Sequence, residues 1–373
     1  MSERIYVGTR KGLFALTRKS ESDPTQWDIE CLGFLGDPVS AVLSDRRDGA
    51  LYAALELGHF GVKLHRSEDH GRTWNEIEPP QFEGEEHPTP ETFDQPVDYK
   101  GPTVDSIWAL ESAGGDQPGA LWAGTVSGGL FRSENRGESW TLDKAFWAAF
   151  EPEKRQGPPP YEKPAINSVL VDPRDSHKLV LGASSGVWKS EDGGHSWRVG
   201  GPGMYMEPLP PEIAKNPDEQ DPHMVVQCAA APDVLWVQHH NGVFRSDDWA
   251  DNWHEITSIQ PSKFGFVVAV HPGDPNCAWF VPGVKDECRL PVDGKLVVAR
   301  TRDGGETFDV LRNGLPQQHA YDLVWRHALD IDDTAQCLAF GSTTGNLWFT
   351  ANQGDAWHQL SGHLPPVYCV RFG

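Results

Sequence analysis

Apolar and polar positions alternate along this chain in short runs, and each run stops at a turn signal. The clearest unit is INSVLVDPRDSHKLVLGASSGVWKSEDGGHSW, from Ile166 to Trp197. It reads as an apolar strand, a turn at Asp-Pro, a second strand ending in small residues, a short loop, and a third strand that runs into a polar stretch closed by an aromatic ring. Period-two alternation between such turns predicts β-strands. The same unit returns along the chain, so the predicted elements are short strands in groups of four.

The polar stretch is the sharpest part of the repeat. It reads SEDHGRTW from Ser67, SENRGESW from Ser133, SEDGGHSW from Ser190, SDDWADNW from Ser246, TRDGGETF from Thr301 and TANQGDAW from Thr350. The Asp or Asn at the third position is expected to accept from backbone amides two residues on. A Gly at the fifth supplies the left-handed conformation of a tight turn, and the closing aromatic buries a large ring against neighbouring strands. In these residues the chain resembles the Asp-box (BNR) repeat of sialidase-like β-propellers, over nearly its whole length.

The fold class expected is all-β: a seven-bladed β-propeller of four-stranded antiparallel blades. Repeats that start 66, 57, 56, 55 and 49 residues apart leave no room for a second domain, so residues 1–373 are expected to form one. Blade one begins at its second strand, IYVGT, and LPPVYCVRFG at the other end supplies its inner strand. Pairing of the N- and C-terminal strands then closes the ring and removes the open edges of a sheet.

Composition narrows the partners. The formal charge of -22, with no basic run, argues against nucleic acid and against an anionic membrane surface. No apolar run approaches the ~18 residues of a spanning helix, and the start MSERIYVGT enters a β pattern at once, so a cytoplasmic monomer is expected. The six cysteines, none in a C-x-x-C pair, read as reduced thiols.

The spare residues fall on one rim. Long insertions at Glu78 to Thr103, Asp143 to Pro164, Gly200 to Pro222 and Pro282 to Lys295 all lie on the face opposite the polar turns, here called the top. Their Pro-rich acidic stretches, EGEEHPTPETFDQ, EPEKRQGPPPYEK and EPLPPEIAKNPDEQDP, are expected to be extended or turn-like rather than helical. Loops on one rim of a rigid scaffold are where sites are usually carried.

Aligning the inner strands on their following turns puts Ser40, Ser106, Asn167 and Arg326 in one register facing the channel. Asp322 is expected to point the same way and pair with Arg326, and His327 to point between blades. The loops between second and third strands add Arg10, Lys11, Glu56, His59, His239, His240, Asn241, Glu287, Thr343 and Thr344. Arg10, Glu56, His59, His239, His240, Asp322 and Arg326 are therefore the candidate ligand-binding residues, gathered at the top of the axis. His59, His239 and His240 invite a divalent metal in the channel, but no compact ligand spacing supports one, so no cofactor is predicted. Asp105, Asp322, Glu56 and Glu287 are the carboxylates from which a hydrolytic pair would be drawn.

The resemblance adds limits. Sialidases carry an F/Y-R-I-P motif, an Arg cluster and a Tyr-Glu pair; RIYVG at Arg4 is not that motif, so no catalytic residue is carried over. Xyloglucan hydrolases with Asp boxes have two rings, and this chain has one. It is also similar to the photosystem II assembly factor group, which implies binding of a partner protein, although those proteins are exported and carry a basic patch. The expected function is binding of a partner protein or small anionic ligand at the top-face funnel; the alternative is a glycosidase-like or lactonase-like hydrolase that uses top-face carboxylates and a metal.

Overall fold

The computed structural model describes residues 3–20, 23, 25–87, 99–155 and 163–373. Seven four-stranded antiparallel sheets form the ring; six are laid down in sequence order from the axis outward, and the first has the C-terminal strand innermost. Blade two is typical: Val39–Ser44 inside, then Leu51–Glu56, Val62–Ser67 and Asn75–Ile77. The remaining inner strands are Ser106–Ser112, Ile166–Val171, Pro222–Cys228, Gly265–His271, Leu329–Ile331 and Val367–Phe372. Each inner strand touches the next, and the last touches those of blades seven and two.

Closure follows the expected route. Val367–Phe372 pairs antiparallel with Arg4–Thr9, placing Phe372 opposite Ile5 and Val370 opposite Val7. Buried aliphatic and aromatic side chains from facing blades fill the spaces between sheets, with Trp236, Trp279 and Trp357 among the largest.

The polar turns work differently from the expectation. Asp69 reaches four residues ahead, not two: Oδ1 accepts from the Thr73 amide at 2.8 Å and Oδ2 from the Thr73 hydroxyl at 2.7 Å. The Ser67 hydroxyl accepts from the Gly71 amide at 2.8 Å and donates to Asp69. Residues four and five of the turn are both left-handed, as at His70 (φ 61°) and Gly71 (φ 87°), so one Gly does not carry the whole bend. The closing indole ties one blade to the previous one: Trp74 Nε1 donates to the Leu32 carbonyl at 3.1 Å.

The insertions are not all extended. Asp143 caps a helix, Lys144–Phe150, that buries Phe146 and Phe150, four residues apart on one face, against blade four, while Trp147 packs on Phe82. The stretch at 207–221 is turns and irregular chain with one 3-10 turn, Pro217–Glu219. The expectations for residues 88–98 and 156–162 lie outside the described residues. Among the described residues no helix is long and apolar enough to cross a membrane.

Candidate functional site

The inner strands share a defect near their upper ends. Pairing with the second strand slips between Val39 and Ala41, Ile107 and Ala109, Ile166 and Ser168, Pro222 and Met224, Gly265 and Val268, and Cys369 and Val367. A bulge leaves one residue unpaired and re-aims its side chain. The residues so displaced include Ser40, Trp108, Asn167, His223, Phe266 and Tyr368. Blade seven goes further: its inner strand is cut to three residues, and the irregular stretch before it carries Trp325, Arg326 and His327.

All of these except Asn167, which is buried with its amide donating to the Pro222 carbonyl, surround a cavity of ≈ 700 Å³ at the top of the axis, and all seven blades contribute to its wall. Arg10 and Tyr368 come from blade one, Ser40 and Glu56 from blade two, Trp108 from blade three, Lys163 and Ser184 from blade four. Asp221, His223 and His240 come from blade five, Phe266, Asp286 and Arg289 from blade six, and Trp325, Arg326 and His327 from blade seven. Arg326 lies over the rings of Trp108, at 4.9 Å, and Phe266, at 5.2 Å, so a cation held between aromatic faces occupies the axis. His327 Nε2 sits 2.7 Å from the carbonyl oxygen of Asn167.

Of the seven residues singled out in the sequence, four line this cavity: Arg10, Glu56, His240 and Arg326. His59 is exposed on the short Gly58–Phe60 turn, packed on Phe60 at 4.3 Å, outside the lining set. His239 is fully buried. Both its ring nitrogens lie 3.1 Å from backbone amides, of Asp221 and Asn241, and burial pushes its pKa down to about 3. The neutral ring accepts from one of them, bracing the loop that carries Asp221 instead of facing a ligand.

Asp322 is spent within its own blade. Its Oδ1 accepts from Ser342 at 2.7 Å and from Thr344 and Asn346 at 2.6 Å. The expected Asp322–Arg326 pair is thus replaced, among the described residues, by the aromatic sandwich. His327 crosses the channel and does not point between blades. Ser106 is also out of the expected register: the bulge gives the channel position to Trp108 two residues later. Glu287 is an exposed partner of Lys285 at 3.5 Å, and Asp105 is paired with Lys163 at 2.6 Å.

Glu56 is exposed at the pocket wall. Partial burial desolvates its carboxyl and raises its pKa, partly offset by the nearby Ser106 hydroxyl, while Asp105 adds to the rise. Asp221 goes the other way: burial opposes its charge, but His223, His240 and Arg326 together hold it well below the usual range. Burial lowers the pKa of His223 against the pull of Asp221.

Asp221, His223 and Trp108 were missed in the sequence. The signal was there in Asp221-Pro222-His223, where a long insertion enters an inner strand. Reading it needed the bulge, which shifts the inward-facing position and is not encoded by alternation.

No family profile matches the chain. The sequence is 24% identical over 288 residues to a probable oligoxyloglucan-reducing end-specific xyloglucanase of Neosartorya fischeri, a match covering 69% of this chain and 32% of that protein. The crystal structure of the GH74 xyloglucanase from Xanthomonas campestris superposes with a TM-score of 0.65 at 17% identity, over 97% of this chain and 53% of the other. This chain thus spans about a third to a half of these enzymes. YCF48 bound to a D1 peptide superposes with a TM-score of 0.56 at 14% identity, over 94% of this chain and 90% of the other. At such identities these likenesses establish the propeller and leave the chemistry to the pocket.

Proposed function

We propose that this protein is a binding propeller that takes a small anionic ligand, or an anionic group of a partner protein, in the axial pocket of its top face. The observation that carries the reading is where the cations lie. In a chain of net charge -22, Arg10, Lys163, Arg289 and Arg326 line a single cavity, with Arg326 on the axis between Trp108 and Phe266. A concave site focuses such a local field and draws an anion through an acidic surface. Arg presents a planar fork that suits carboxylate or phosphate, and the flanking rings preset its plane. We read the repeated turn as that of Asp-box propellers. We also place the protein, as a monomer, in the cytoplasm, where its six free thiols stay reduced.

Calorimetric titration with inorganic phosphate, citrate and glucuronate, against neutral glucose and xylose, tests this. The anions should bind, and Arg326→Ala should weaken them about 10- to 100-fold, the size of a lost charge-assisted hydrogen bond. Equal binding of the neutral sugars, or no effect of the substitution in a folded variant, would refute it.

One observation favours a second reading, a hydrolase. Glu56 and Asp221 share the pocket, and their environments push their pKa values apart, as in sites that need one protonated and one ionised carboxyl. Release of a chromogenic leaving group from aryl glycosides, abolished by Glu56→Gln, would establish it.

A further inference from the structure

Asp221, His223 and His240 form a cluster that the binding reading leaves unexplained. Their ligating atoms lie within 4.8 Å of one another. Asp221 Oδ2 is 3.6 Å from His223 Nε2 and 3.4 Å from His240 Nδ1. Both separations are too long for good hydrogen bonds. They match the edge of a tetrahedron around an ion bonded at 2.0–2.1 Å, which is about 3.4 Å.

The orientation of His223 is fixed from behind. Its Nδ1 lies 2.7 Å from the Gly265 carbonyl oxygen, which only accepts, so Nδ1 carries a proton and Nε2, on the Asp221 side, is the nitrogen that can give its proton up to a metal. That backbone hydrogen bond is the outer support metal-bound imidazoles usually have. Face-to-face stacking on Phe266, at 4.5 Å and 12°, holds the ring plane. His240 meets His223 edge-on at 5.3 Å and Phe264 at 6.3 Å. The loop holding Asp221 is braced by buried His239.

We propose that Asp221, His223 and His240 bind a divalent metal ion of zinc type, with the fourth coordination position open to the axial pocket. Two imidazoles and one carboxylate form the donor set of an open tetrahedral site, in which the position left by the protein takes water or a ligand atom. All three residues line the cavity, so that position faces what the pocket admits. The proposal goes beyond anion binding and does not depend on it, because the ion would bind with no other ligand present.

The test uses tag-free full-length protein, stripped with chelator and titrated with cobalt(II) and then with zinc(II). One cobalt per chain, with the intense visible bands of a four- or five-coordinate ion and displaced by zinc, is expected. His240→Ala at the rim and Asp221→Asn should each weaken cobalt by more than about 10-fold, the loss that even an outer-shell change can bring. His223→Gln provides a variant at the buried ligand, and circular dichroism checks that each variant is folded. Absence of stoichiometric cobalt, or binding unchanged in folded His240→Ala and Asp221→Asn, overturns the proposal. Either result leaves the phosphate and citrate titrations to be judged separately.

Discussion

His327 Nε2 donates to the Asn167 carbonyl oxygen at 2.7 Å, so blade seven bonds the inner strand of blade four across the central channel. The ring is buried, its pKa pushed down to about 3, and it acts as a neutral N–H donor at any ordinary pH. This crosslink closes the floor of the upper pocket. Its own carbonyl accepts from the Val370 amide at 2.9 Å, which ties the floor to the closing strand.

His327→Ala should therefore cost on the order of 1–3 kcal/mol, since it strands a buried carbonyl as well as deleting a bond. Urea denaturation measures it. An unchanged midpoint would mean that the crosslink does not contribute to stability.

Below that floor lie Glu111, Asp330 and Arg371. Glu111 Oε1 is 3.8 Å from Arg371, yet its pKa is pushed up to about 7 by burial, with Arg371 opposing and Asp330 reinforcing. The Glu111 side chain keeps about a third of its surface, so solvent moderates this shift. A carboxyl whose folded pKa is raised is favoured protonated in the fold, so its contribution is present below the unfolded value of about 4.3 and is lost as pH rises through 7. Glu111→Gln should gain stability relative to the native protein between pH 5 and pH 8. Parallel denaturation curves at the two pH values would contradict this.

The polar turns predict the opposite slope at acid pH. Turn hydrogen bonds from Thr73, Ser196 and Thr307 hold Asp69, Asp192 and Asp303 at about 2. Their contribution is present above the unfolded value of about 3.9 and is lost as pH falls through 2. Replacing all three by Asn should flatten the acid limb of the stability profile without altering phosphate or citrate binding, because these turns lie on the bottom face. A binding loss at unchanged stability would put the turns at the site.

Deleting residues 365–373 removes the inner strand of blade one, including buried Val367, Cys369, Val370 and Phe372. The exposed edge of Arg4–Thr9 should drive association, visible by light scattering. A truncated protein that stays monomeric with an unchanged melting temperature would show that ring closure is dispensable.

Much of this architecture was legible in the chain alone. Alternation, turn residues and the six repeats of the Ser67–Trp74 type fix strand count, blade boundaries and the joining of the two ends, because these depend on local periodicity and turn chemistry. The same logic put the insertions on one rim and brought Arg10, Glu56, His240 and Arg326 to one cavity. It failed where the fold breaks its own period. A bulge re-aims the residue it leaves unpaired, so Trp108, two positions on, took the place expected of Ser106, and Asp221 with His223 went unread. Burial turned His239 into a brace, and a local hydroxyl and amide cluster captured Asp322. Which polar side chain faces a ligand and which satisfies backbone is decided by contacts between blades far apart in the chain, as between Asn167 and His327, 160 residues apart, and only the closed ring makes those contacts.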